Sequence, residues 1–178
     1  MDIKEKFISG EIVYTGKFIT VEKRKYRLCD GKEAQRDIVV HPEACAVVAL
    51  DAAGEIYLVE QYRAAFDKII LEIPAGKLDQ GETPKEALTR ELKEDTGLTA
   101  GKFTLLTSIA VSPGFCTEVI HIYLAEELVK GQSNPDDDEH LLVSKMSLSD
   151  AKKAVTDGRF SDAKTITGVL ITCDLKGI

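Results

Sequence analysis

Several features are scarce in this 178-residue chain, and each absence narrows what it does. Cys29, Cys45, Cys116 and Cys173 stand far apart, with no CxxC pair and no histidine at zinc-binding spacing, so they are expected as buried or free thiols. His41, His121 and His140 likewise lack a metal-binding spacing. There is no extended basic run, and the net charge is −7, which argues against a nucleic-acid backbone as partner. The longest clearly apolar run, Ala44 to Leu50, is far too short to cross a bilayer. The start, MDIKEK, is charged and lacks the apolar stretch of a secretory signal, so a cytoplasmic protein is expected. Repeats and low-complexity tracts are also absent.

What the chain does have is acid in an unusual place. Thr83 reads as a helix N-cap, Pro84 as the first helical residue, Glu86 as the second half of a T-x-x-E capping box, and Gly97 as the terminating glycine. The helix between them carries Glu91, Glu94 and Asp95 in its last turns. Acids three and four residues apart repel, and the C-terminal end of a helix is its negative pole. Together the penalty is roughly 1 to 3 kcal/mol. On a helical wheel with Glu91 at zero, Asp95 falls near 40° and Glu94 near 300°, with Leu88 and Leu92 at about 60° and 100°. The acids therefore border the apolar stripe instead of facing solvent opposite it. A bridging divalent cation, which accepts several carboxylate oxygens, removes most of the penalty.

The rest of the chain reads as strands with a few helices in irregular order. The first forty residues alternate and are broken at Cys29-Asp30-Gly31-Lys32, predicting an antiparallel meander. ACAVVALDAAGEIYLVEQYR predicts a hairpin turning at Asp51 to Gly54, and KIILEIPAG a strand entering a loop at Pro74 and Gly76. KFTLLTSIAVSPGF, TEVIHIYLAEEL and LLVSKMSL predict further strands. Ser149 and Ser161 are candidate caps of two C-terminal helices. The order predicts an α+β fold: a mixed sheet sandwiched between helices, with residues 1–41 as an N-terminal antiparallel β arm and 42–178 as the main domain. A small sheet without its own core tends to pack on a partner, which predicts a homodimer.

Gly76, Glu82 and the run Arg90-Glu91-Leu92-Lys93-Glu94-Asp95-Thr96-Gly97-Leu98 stand at the spacings of the Nudix box, the 23-residue signature of hydrolases that cleave nucleoside diphosphates linked to another group. The chain resembles that family, with one departure: Asp95 stands where the family has glutamate. The resemblance implies Mg²⁺ or Mn²⁺ held by Glu91, Glu94, Asp95 and the carbonyl of Ala75. It also implies catalysis by hydrolysis, and a bracing role for Gly76, Glu82, Arg90 and Gly97.

Pro113, sixteen residues beyond Gly97 in SPGF, together with EQYR, LEIPAG and DAKT, resembles the ADP-ribose pyrophosphatase branch. That branch implies hydrolysis of ADP-ribose to AMP and ribose 5-phosphate. Carried over residue by residue, it puts Arg63, Glu72, Pro113, Gly114 and Phe115 near the substrate and Arg36 on an arm reaching the partner subunit. One of Asp136, Asp138 and Glu139, in an acidic loop, is expected to serve as general base or further metal ligand. Two other readings stand beside this one. The first is a pyrophosphatase for another nucleotide sugar or an oxidised nucleotide. The second is a non-catalytic ADP-ribose sensor, disfavoured by the intact Glu91 and Glu94 and by the lack of an added DNA-binding domain.

Overall fold

The computed structural model describes residues 2–133 and 140–178. They form two compact units, one of residues up to Glu43 with Ala110–Val119, the other of Ala44–Ile109 with Ile120–Ile178. In the first, β1 (Lys6–Thr15), β2 (Thr20–Arg27) and β3 (Glu33–Val40) make an antiparallel sheet in sequence order. β1 is exposed along its whole length, and Phe7, Ile12 and Tyr14 on it stand in solvent. The Ala110–Val119 segment joins this unit through Val39, whose N–H donates to the Phe115 carbonyl at 2.7 Å and whose carbonyl accepts from Thr117 N–H at 3.0 Å.

The second unit is built around β4 (Ala44–Ala49), all six residues of which are buried. It lies between β7 (Ala75–Lys77), antiparallel, and β9 (Val119–Lys130), parallel, with β8 (Leu98–Ala110) beyond β9. β5 (Glu55–Arg63), β6 (Lys68–Glu72) and β10 (Leu141–Ser147) form a second, antiparallel sheet in the order β10-β5-β6. Successive strand residues point to opposite faces. Cys45, Val47 and Ala49 therefore pack with Ala87, Leu88 and Leu92 of α1 (Pro84–Thr96). Ala44, Ala46 and Val48 pack with Leu148, Ala151 and Ala154 of α2 (Leu148–Thr156) and Val169 and Cys173 of α3 (Ala163–Lys176). The outcome is the expected mixed sheet between helices. The four cysteines are free thiols. Among the described residues no helix is long and apolar enough to cross a membrane.

Local expectations needed four corrections. The Asp51 turn forms, with its carboxylate accepting from Ala53 and Glu55 N–H, but β4 and β5 form no ladder beyond the isolated Leu50–Ile56 bridge. β4 has both edges taken by β7 and β9, so β5 pairs elsewhere. Residues 75 to 77, expected as loop, form a short strand that closes one of those edges. α2 is capped by Ser147, not Ser149: Ser147 Oγ accepts from Asp150 N–H, and Leu148, buried, is already helical. α3 is capped by Asp162, not Ser161, because the longer-reaching carboxylate accepts from both Thr165 N–H and its hydroxyl.

α3 approaches β4 closely at Gly168, where a β-carbon would lie 2.8 Å from Val48 Cγ2 and 3.2 Å from both Ile122 Cγ2 and Ile73 Cδ1. Gly168→Leu is expected to destabilise the fold by about 3 kcal/mol through overpacking, well beyond the ~1 kcal/mol gained in helix propensity. Thermal unfolding followed by circular dichroism checks it, with a midpoint lowered by roughly 4 to 8 °C.

Candidate active site

α1 is fixed at both ends before its acids are considered. Thr83 Oγ1 accepts from Glu86 N–H, while Glu86 Oε2 accepts from Thr83 N–H at 2.9 Å, completing the capping box. Gly97 takes φ +71° and donates its N–H to the Lys93 carbonyl, a left-handed turn that a side chain disfavours. Leu88 and Leu92 are fully buried, each stabilising by about 1.5 to 3 kcal/mol and fixing the helix rotation. That rotation sets the acids: Asp95 is 4% exposed, Glu91 is mostly buried and Glu94 half-buried.

Arg90 gathers the acids. Its Nη1 donates to Glu91 Oε1 at 2.8 Å and Glu94 Oε2 at 3.0 Å, and its Nε and Nη2 donate to Glu82 at 3.1 and 3.0 Å. Nη2 also reaches the Lys77 carbonyl at 3.1 Å, tying helix to β7. Hydrogen bonding to Glu82, with the Glu91 charge and hydrogen bonds to Glu91 and Glu94, holds the guanidinium far above its ordinary pKa, and the same contact lowers the Glu82 carboxyl. Glu91 lies directly on β7: a β-carbon at Gly76 would sit 1.8 Å from its carboxyl carbon, so any side chain there would push the Glu91 carboxylate aside. Across the strand pair, Cys45 Sγ donates to the Gly76 carbonyl, and burial, then the Glu91 charge, push that thiol up to about 12.

The donor chemistry here fits a hard divalent cation. Three carboxylates share one guanidinium, leaving two negative charges, and two of them converge on the single nitrogen Nη1. Among the described residues no three acid, histidine or cysteine groups surround one point as an ion would require. Glu91 and Glu94 are instead turned onto the guanidinium, through Oε1 and Oε2 respectively.

A second cluster involves Arg63 and Glu72. Glu72 is 2% exposed, and both its oxygens accept from Arg63, Nε to Oε1 at 2.8 Å and Nη2 to Oε2 at 2.7 Å. Buried Lys164 donates to the same Oε2 at 2.5 Å and pairs with Asp162 at 3.0 Å. Burial alone would raise the Glu72 carboxyl, but Arg63 and Lys164 together outweigh it and hold it low. Lys164 and Asp162 were not legible as site residues. DAKT marked a family branch, and nothing in it points to a strand 92 residues away.

Two further groups of expected residues remain. In the first unit, Arg36 on β3 donates to Glu5 at 2.7 Å, and Pro113, Gly114 and Phe115 lie in the β8–β9 connection with Phe115 exposed. Asp136, Asp138 and Glu139 lie outside the described residues.

Residues 40–167 match the NUDIX domain. The chain is 42% identical over 165 residues to the ADP-ribose pyrophosphatase of Bacillus subtilis (strain 168), covering 92% of this chain and 89% of that one. It is 38% identical to the methanol dehydrogenase activator of Bacillus methanolicus, over 93% and 91% of the two chains. A solved structure of an ADP compounds hydrolase shares the fold at TM-score 0.87 and 24% identity, covering 98% of this chain and 95% of that one. The chain belongs to the NUDIX family, whose members are hydrolases that generally use divalent metal ions.

Since Glu72 is depressed in the fold, its stabilising contribution is complete above the ordinary carboxylate value, about 4.3, and is lost as pH falls through the lower folded value. Glu72→Gln is expected to cost about 3 kcal/mol near pH 7, where it leaves buried Lys164 and half-buried Arg63 short of a charge, and less near pH 3. Urea unfolding at both pH values measures this; a difference independent of pH contradicts it.

Proposed function

We propose that this protein hydrolyses ADP-ribose to AMP and ribose 5-phosphate, using Mg²⁺ or Mn²⁺ held by Glu91, Glu94, Asp95 and the Ala75 carbonyl. The observation that carries the reading is the convergence of Glu91 and Glu94 on one point at the end of α1, backed by Gly76. Its substrate class is supported by the 42% identity to a pyrophosphatase of that name. The chemistry a divalent ion supplies when bound is neutralisation of the diphosphate and a more acidic attacking water. Everything else is assigned to the chain. Arg90 and Glu82 hold α1 against β7 so that the acids stay aimed at one place. Arg63, gripped by Glu72, offers a planar cation suited to bidentate contact with a phosphate. One of Asp136, Asp138 and Glu139 takes the proton of the attacking water, and its alanine variant is expected to lose roughly two or more decades of turnover.

Residues 1–41 are proposed as a dimerisation arm. The exposed apolar residues of β1 support this; the proposed assembly is a cytoplasmic homodimer in which Arg36 of one subunit serves the other's site. Arg36→Ala is expected to raise KM without lowering kcat, and sedimentation to give twice the chain mass. An unchanged KM, or a monomer, removes the shared site.

The central test is turnover of ADP-ribose, GDP-mannose, UDP-glucose and 8-oxo-dGTP with Mg²⁺ in H₂¹⁸O, which reports both the preferred substrate and the phosphorus attacked. ADP-ribose is expected to lead. Glu91→Gln is expected to lose roughly a hundredfold or more in kcat, the scale of one lost electrostatic stabiliser of a transition state. Parent-like turnover by that variant refutes the ion site.

A further inference from the structure

Lys164 stands where a lysine is disfavoured three times over. It is buried, it occupies the first turn of α3, where the helix dipole is positive, and it competes with Arg63 for a single carboxylate oxygen. Docking of the helix does not account for it. Thr165 already ties α3 to the chain beside Glu72, its hydroxyl accepting from Ile73 N–H at 2.9 Å while donating to Asp162 at 2.5 Å. A buried ion pair is, moreover, often no more stabilising than well-packed apolar side chains of the same volume.

The arrangement makes sense as an orienting device. Glu72 is buried while Arg63 above it is more than a third exposed, so the guanidinium faces outward from a fixed anionic base. With only Arg63 as partner, the carboxylate is free to rotate about its last torsion, which is broad and poorly defined. Lys164 removes that freedom by taking Oε2, and Asp162 removes the lysine's own freedom by accepting from it at 3.0 Å. Both oxygens of Glu72 then remain aligned with Nε and Nη2, which fixes the plane of the guanidinium.

We propose that Lys164, seated by Asp162, is a positioning residue for substrate binding: it locks Glu72, and through Glu72 the plane in which Arg63 meets the diphosphate. The inference rests on the reading of the site as one that binds ADP-ribose through Arg63. Neither Lys164 nor Asp162 touches the reacting atoms.

The test compares Lys164→Met, Lys164→Arg, Asp162→Asn and Arg63→Ala in melting temperature, in ADP-ribose affinity by calorimetry with EDTA present, and in KM and kcat with Mg²⁺. Lys164→Met is expected to melt within a few degrees of the parent and to raise the dissociation constant and KM about tenfold, the scale of a misplaced binding group, with kcat within about twofold. Lys164→Arg, which keeps the charge, is expected to recover most of that loss. Asp162→Asn keeps the α3 cap, because asparagine caps as well as aspartate, and is expected to raise KM by about threefold. It carries the test if Lys164→Met does not fold. A KM unchanged in Lys164→Met, or in Asp162→Asn where the former is unfolded, overturns the proposal, as does a loss confined to melting temperature or to kcat. If Arg63→Ala also leaves KM unchanged, the reading of the substrate site falls with it; if Arg63→Ala alone raises KM, only the role of Lys164 falls.

Discussion

The site depends on one guanidinium. Arg90 spans the Glu82 carboxylate on its Nε side and the Glu91 and Glu94 carboxylates on Nη1, while its remaining nitrogen reaches the Lys77 carbonyl. A planar fork with five donors in fixed directions does this; a lysine ammonium cannot satisfy the same partners. The consequence is an acid cluster held together at the negative end of a helix, where the acids left alone would repel one another and fray the last turn. One positive charge against three negative ones restrains the cluster without neutralising it. The residual charge is what a divalent cation would compensate.

The core makes that arrangement rigid. β4 is enclosed on both edges and both faces, so its position is set by the whole of the second unit. β7 inherits that position through its pairing with β4, and α1 inherits it through Leu88 and Leu92 packing on Val47 and Ala49. Gly76 and Glu91 therefore meet at a distance that leaves no room for a β-carbon. The glycine is thus a requirement of the site, fixed by the same contacts that build the sheet.

How much of this could be read in advance follows the distance over which each interaction acts. The bounds of α1 were legible because caps are local: Thr83, Glu86 and Gly97 act within four residues of the ends they define. The inward aim of Glu91 and Asp95 was legible because helical periodicity fixes it relative to Leu88 and Leu92. The alternation of the N-terminal strands was legible for the same reason. Strand pairing in the second unit was not. The turn at Asp51 forms as its residues dictate, yet whether the flanking strands stay together is decided by β7 and β9, which come from distant segments. The caps of α2 and α3 were misplaced by one or two residues, since Ser147 against Ser149 and Asp162 against Ser161 is settled by which following residue is buried and which side chain reaches further. The meeting of Lys164 with Glu72 spans 92 residues and has no local signature at all.

Two charge clusters in one unit are thus built on opposite plans. Around Arg90 anions outnumber cations, the groups are partly open to solvent, and the surplus invites an ion. Around Glu72, among the described residues, two cations meet two carboxylates, and the central carboxylate is buried. A balanced buried cluster contributes little to binding a charged ligand through net charge. Its value lies in geometry: the low-dielectric surroundings make each bond within it stiff, and the one member that emerges, Arg63, does so in a single orientation. A diphosphate carries two negative charges and a definite shape. A site for it needs both a source of positive charge and a fixed donor plane. In the reaction proposed here the first is brought by the ion recruited to the acid surplus, and the second is prepared by the fold before any ligand arrives.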